Sequence, residues 1–137
     1  MKLPSKLAGL KEVTGLQFLL VGGGGFVVDM LLFLSFSHYL GWPVIVARLA
    51  AFGFAVIFTW SGNRIFTFSH RPKMKKGKQL SLCALVACLA AMVNLSVFYF
   101  FNSLAIDVPY WSAACLAIGV LAGLVINWLG ANKLAFR

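Results

Sequence analysis

Residues 16–40 read LQFLLVGGGGFVVDMLLFLSFSHYL, an apolar run broken only by Gln17, Asp29, Ser35, Ser37 and His38. An α-helix rises ~1.5 Å per residue and the hydrocarbon core of a bilayer is ~30 Å thick, so about 20 such residues suffice to cross it. Three further runs follow. Residues 43–62 are broken by Arg48, Thr59 and Ser61, residues 80–104 by Asn94 and Asn102, and residues 110–130 by Asn127. A polar stretch, 63–79, separates the first pair from the second. The links at 41–42 and 105–109 are long enough only for tight turns, so the spans pair as two antiparallel hairpins. The expected fold is an all-α integral membrane protein, a single domain over 1–137 with four transmembrane helices. The alternating ten-residue segments of a membrane barrel are absent.

Composition argues the same way. The chain is 61% hydrophobic and 11% charged, against roughly 45–50% and about 25% in soluble domains, which excludes a water-soluble globule. Four spans consume most of the 137 residues and leave no room for a soluble catalytic domain. There are no paired carboxylates, His38 and His70 fall on opposite predicted sides of the membrane, and no nucleophile has a base at useful spacing, so no enzyme is expected. Cys83, Cys88 and Cys115 lie inside spans without metal-ligand spacing, and neither a metal nor a cofactor is expected. The net charge of +9 does not signal nucleic-acid binding, because the cations lie at a membrane surface without interleaved base-stacking aromatics.

Orientation follows from those cations, since Lys and Arg near the ends of spans are retained on the cytoplasmic side. Lys2, Lys6 and Lys11 precede the first span, Arg64, Arg71, Lys73, Lys75, Lys76 and Lys78 occupy the middle stretch, and Lys133 and Arg137 close the chain. The two short turns carry none. Both termini and the middle loop are therefore predicted cytoplasmic, and only Arg48 lies within a span. Tyr39, Trp42, Tyr110 and Trp111 cluster at the opposite boundary, where amphipathic rings favour headgroups. Leu3, Leu7, Leu10 and Thr14 recur at helical spacing, so the amino terminus reads either as a short interfacial helix or as an unstructured tail. The basic stretch from Arg71 to Lys78 is read as a topology signal, as a contact for anionic headgroups, or as a docking segment for a partner protein.

The chain also resembles itself. Val21 through Asp29 to Phe33 aligns with Val86 through Asn94 to Phe98 at an offset of 65, and Trp60 to Arg64 aligns with Leu129 to Lys133 at an offset of 69. Each half is a helix with Asp or Asn near its middle, then a returning helix that ends in Asn followed by a cation. Both halves begin on the same side, the pattern of a parallel repeat with a substrate site between the halves. Gly22, Gly23, Gly24 and Gly25 form an unbroken run in the first span. Each costs about 1 kcal/mol relative to Ala in a helix interior, so the segment is expected to be flexible or very closely packed. Neither a dinucleotide-binding nor a P-loop pattern surrounds it.

Gln17-Phe18 to Val21-Gly22-Gly23, Asp29, Asn63-Arg64 with Phe66-Thr67-Phe68, and Asn132-Lys133 with Phe136 together resemble the GtrA-like family, over nearly the whole chain. The resemblance implies a small four-span protein of the bacterial cytoplasmic membrane that translocates polyprenyl-phosphate-linked sugar to the outer leaflet for cell-surface polysaccharide modification. It implies as partners the sugar lipid and a polyprenyl-phosphate glycosyltransferase. A homo-oligomer is expected, because four helices barely enclose a groove for a glycolipid head. The second half departs from the pattern, with Asn94 and Lys133 where the first has an acid and an arginine.

The candidate substrate-binding residues are the few polar groups within or at the ends of spans: Asp29, Arg48, Asn63, Arg64, Asn94, Asn127, Asn132 and Lys133. Asp29 and Arg48 either pair and lock the first hairpin, or Arg48 meets the phosphate while Asp29 orients it; Arg48 also has the option of reaching to the headgroups. Asn63-Arg64 and Asn132-Lys133 are stop signals for the spans or receivers of the phosphate at the cytoplasmic side. Asn94 and Asn127 bond across helices or line a polar path. Two rival functions have the same size and span number: a proton-coupled multidrug exporter and a membrane anchor for a glycosyltransferase.

Overall fold

The computed structural model describes residues 5–104 and 108–137, with side chains described from Thr14 onward. Four helices are long and apolar enough to cross a membrane, and among the described residues there is no strand. The chain divides into two compact units, Met1–Pro72 and Lys73–Arg137. Unit 1 holds α1 (Ser5–Leu34), which runs into a five-residue π-helical turn π1 (Ser35–Tyr39), then α2 (Val44–Gly62) and π2 (Asn63–Thr67). Unit 2 holds α3 (Lys76–Asn102), α4 (Trp111–Gly130) and π3 (Ala131–Ala135). Leucine, valine and phenylalanine side chains such as Leu20, Phe26, Leu49, Leu85 and Leu121 stand exposed along the helices, as a surface solvated by acyl chains requires.

Each hairpin turn is built by local chemistry. Gly41 takes a φ of 66°, a left-handed conformation open to glycine at little cost. Pro43 follows and launches α2, where its missing N–H has no partner to lose; Trp42 stacks on Phe36 with ring centroids 4.8 Å apart. In unit 2 the left-handed residue before α4 is Tyr110, φ 65°. The indole Nε1 of Trp111 donates to the Phe101 carbonyl (3.2 Å) and Ser112 Oγ donates to Asn102 Oδ1 (2.9 Å), tying α4 back to the end of α3.

The helices outrun the apolar segments. Spans expected to stop at 62 and 130 stay helical to Thr67 and Ala135, and α3 starts at Lys76 instead of 80. The basic loop is accordingly shorter than 63–79, because polar side chains end a hydropathy run without ending the backbone hydrogen bonds. At the amino terminus α1 is continuous from Ser5, so its backbone forms neither a separate interfacial helix nor an irregular tail from that residue on. The proposed amphipathic face of Leu3, Leu7 and Leu10, with Lys2, Lys6, Lys11 and Glu12, lies outside the described side chains, and residues 105–107 of the second turn lie outside the described residues.

Inside each unit, small residues let the helices touch. In unit 1 Ala47, Ala51 and Ala55 are buried one turn apart. A Cβ added to Gly25 would collide with Thr59 Cγ2, and one added to Gly24 would lie 3.1 Å from Phe58 Cε1. Gly22 and Gly23 face open space. The glycine run is thus regular helix, with two of its members closely packed and no unwinding. In unit 2 Cys115, Gly119 and Gly123 take the corresponding places. A Cβ on Gly119 would stand 2.6 Å from the Asn94 carbonyl oxygen, and one on Gly123 2.9 Å from that of Ala90. Such small-residue seams bring transmembrane helices into backbone contact, where van der Waals packing holds them.

Candidate functional site

In the membrane-spanning part of unit 1 the small seam on α2 also positions a charge. Ala47 and Ala51 are fully buried, and Arg48, next to Ala47, leans toward α1. Its Nη1 donates to Asp29 Oδ2 at 2.6 Å. Asp29 is only 8% exposed, whereas the Arg48 side chain is 52% exposed. The guanidinium carbon also lies 5.6 Å from the centre of the Phe33 ring, within cation–π range. A guanidinium carries five N–H donors, and the bond to Asp29 takes one of them. Asp29 Oδ1 is buried with no hydrogen-bond partner among the described residues. Of the arrangements posed for this pair the structure shows the first, a direct bond between Asp29 and Arg48, and it leaves half of the arginine side chain exposed.

The open end of unit 1, away from the Gly41 turn, is organised differently. The Phe68 N–H reaches back five residues to the Asn63 carbonyl (2.8 Å), and this wide turn carries Phe68 into the interior. Asn63 is 6% exposed and its Oδ1 accepts a hydrogen bond from the buried Thr67 hydroxyl at 2.9 Å. That amide oxygen is occupied in shaping the helix end. Arg64 is half-buried, with its guanidinium 5.9 Å from the Trp60 ring centre, and Arg71 covers the Phe68 ring at 4.7 Å. Arg48 and Arg64 sit sixteen positions apart on one helical run, roughly 24 Å along it and about 160° around it. The structure gathers Asp29 with Arg48 and Asn63 with Thr67, and leaves the two arginines apart.

Unit 2 repeats this helix end with alanines in place of the buried polar pair. The Phe136 N–H reaches back to the Ala131 carbonyl (2.9 Å), and Ala131, Ala135 and Phe136 are buried where Asn63, Thr67 and Phe68 are in unit 1. The matching offset here is 68, as it is for Ala47 with Cys115, Ala51 with Gly119 and Ala55 with Gly123. The alignment at 69 is thus one residue out at this end: Asn63 corresponds to Ala131, and Arg64 to Asn132. Between the first helices the offset of 65 holds, with Gly25 against Ala90 and Asp29 against Asn94, so the link in unit 2 is three residues longer. Asn94 is half-buried, with its carbonyl oxygen and Oδ1 at the Gly119 contact. Asn127 and Asn132 are half-buried and Lys133 is exposed.

One further polar residue, Gln79, is absent from the candidates. It is 1% exposed and its Nε2 donates to the Ala135 carbonyl at 2.9 Å, satisfying a backbone acceptor at the end of π3 that would otherwise be stranded. The repeat held its signal, because Gln79 stands at an offset of 65 from Thr14, which is also buried. Among the described residues no three His, Cys, Asp or Glu side chains gather in a metal-binding group.

Comparison with curated proteins finds no match. Residues 17–137 match the family model described as GtrA/DPMS, transmembrane domain, and the match spans both hairpins, from Gln17 to the carboxyl terminus. The chain is therefore a multi-pass membrane protein that belongs to the GtrA family, a family linked to the translocation of lipid-linked sugars.

Proposed function

We propose that this protein moves polyprenyl-phosphate-linked sugar from the cytoplasmic to the outer leaflet of a bacterial cytoplasmic membrane, for modification of cell-surface polysaccharide. The observation that carries the reading is the Arg48 guanidinium, anchored by Asp29 inside an apolar span yet half exposed. The head of such a lipid bears one phosphodiester charge and several hydroxyls. A single hydroxyl moved into hydrocarbon without a partner costs about 4–8 kcal/mol, so unassisted crossing is very slow. A fixed guanidinium lowers that barrier by presenting forked donors that fit phosphate oxygens, while the prenyl tail stays in lipid. Arg48 is the phosphate contact within the span, and Asp29 holds it in place. Arg64 and Lys133, at the open ends of their units, receive the phosphate on the side where the lipid is made, with Asn132 beside Lys133. Asn94 and Asn127 offer amides to sugar hydroxyls, and Asn63 acts through the shape of π2.

The pairing of Asp29 weighs against the cation exporter, whose acid has to stand open to a cationic drug. The test is reconstitution of the purified protein in liposomes with labelled polyprenyl-phosphate sugar. Leaflet exchange well above that of protein-free liposomes is the expected result. Exchange at the protein-free rate would overturn the carrier and favour the membrane anchor for a glycosyltransferase.

A further inference from the structure

The two oxygens of Asp29 have different environments. Oδ2 accepts from Arg48, whereas Oδ1 is buried and has no hydrogen-bond partner among the described residues. We infer that the anionic head binds at Arg48 together with one proton, which Asp29 accepts on Oδ1. The inference rests on the proposed function and assigns a second ligand to the same site.

The argument is one of charge. With the site empty, Asp29 and Arg48 form a neutral pair. A phosphodiester arriving on the exposed side of Arg48 competes with Oδ2 for the same cation. Without the proton, the loaded site would hold two anions against one cation, within a span and with Asp29 still buried. Isolated or surplus charge in that setting is strongly disfavoured. Transfer of one proton from water to Oδ1 converts Asp29 to the neutral acid, whose Oδ2 still accepts from Arg48 Nη1 and holds it in place, while the phosphate balances the guanidinium charge. The loaded site is again neutral, and no bond other than O–H has formed.

Among the described residues of unit 1, no other group is better placed to take that proton. Between Thr14 and Leu34, α1 has no ionisable side chain besides Asp29, and α2 has none besides Arg48. Of the other elements packed on α1, π1 carries His38 and Tyr39, and π2 carries Arg64. His38 is nine positions from Asp29, roughly 13 Å along the helix, and π2 lies at the far end of α2. Both His38 and Tyr39 are exposed at the turn end.

Linkage then sets the sign and the size. The bound state holds one proton more than the empty state, so affinity rises as pH falls. Coupling to one proton changes affinity by at most about tenfold per pH unit. In Asp29→Asn the residue is neutral at every pH and this slope vanishes.

The experiment measures binding of citronellyl phosphate glucose, a short-chain prenyl phosphodiester, to detergent-solubilised full-length protein by calorimetry across pH and in buffers of different protonation enthalpy. Uptake of close to one proton per phosphodiester bound is expected, together with a ligand-induced infrared carbonyl band of a protonated acid. Both signals are expected to be absent in Asp29→Asn. Binding with no proton uptake and no acid band would overturn the inference and leave the carrier reading standing. An unchanged proton uptake in Asp29→Asn would also overturn it. If the wild type fails to bind the phosphodiester and also fails to exchange lipid in liposomes, the carrier reading falls, and this inference with it.

Discussion

Where unit 1 carries Asp29 and Arg48, unit 2 carries Asn94 and Leu116 at the same offsets, 65 and 68. Where unit 1 ends α2 on Asn63 and Thr67, unit 2 ends α4 on Ala131 and Ala135. The returning helices of both units end in the same five-residue turn, π2 and π3, so that turn forms with or without the buried amide. Unit 2 closes instead on glycine, with backbone oxygens of α3 against Gly119 and Gly123. The difference teaches that the polar groups of unit 1 are additions to a self-sufficient scaffold. The proposed function gives the charges inside the spans of unit 1 their use.

The most severe test of this comparison rewrites unit 1 as unit 2. The double variant Asp29→Asn, Arg48→Leu is expected to insert and fold, with a thermal midpoint in detergent close to that of the parent, while leaflet exchange in liposomes drops to the protein-free rate. Exchange at the parental rate would mean that the ion pair is not what distinguishes the halves. Arg48→Leu alone leaves the buried Asp29 without its hydrogen-bond partner, and stranding a buried polar group costs ~1–3 kcal/mol or more. The single variant should therefore denature at a lower temperature than the double.

The seam supplies the next effect. Gly119→Ala places a methyl against the Asn94 carbonyl and should destabilise unit 2 by ~1–3 kcal/mol, the usual cost of overpacking. Gly22→Ala enters open space on a regular helix and should stabilise unit 1 by up to ~1 kcal/mol. Detergent melting curves of the two variants, moved in opposite directions, would establish the contrast. Gln79→Ala leaves the Ala135 carbonyl unpaired in a buried place, a loss of ~1–3 kcal/mol, read as faster hydrogen exchange over π3. The smallest change is expected from Asn63→Ala with Thr67→Ala, which copies Ala131 and Ala135. It removes one hydrogen bond worth about 0.5–1.5 kcal/mol, read as a small lowering of the detergent melting temperature.

Much of this was legible in advance, and the rest was hidden for identifiable reasons. The four spans, the hairpin links and the repeat were open to reading because hydropathy and length act locally. Asp29 and Arg48 stood out as ionisable residues inside apolar runs. Their alternatives stayed open because a residue list does not say how two helices are rotated against each other. The helix ends differ from the hydropathy limits for another reason: Asn63-Arg64 and Asn132-Lys133 read as stop signals, yet the backbone continues past both as a wider turn. Gln79 was passed over because it sits at the polar margin of a span, where an exposed amide is ordinary.

Amino-acid order alone determined that this chain enters a membrane, how many times it crosses and that it does so in two similar halves, since each follows from the cost of placing particular side chains and unpaired amides in hydrocarbon. Only the tertiary structure decided which polar groups are closed and which are open. Backbone approach at Ala47 and Ala51 sets the rotation of α2 on α1, and that rotation buries Asp29 while leaving half of Arg48 outside. Hydropathy is a sum over residues, but accessibility belongs to a surface that exists only once two helices have met.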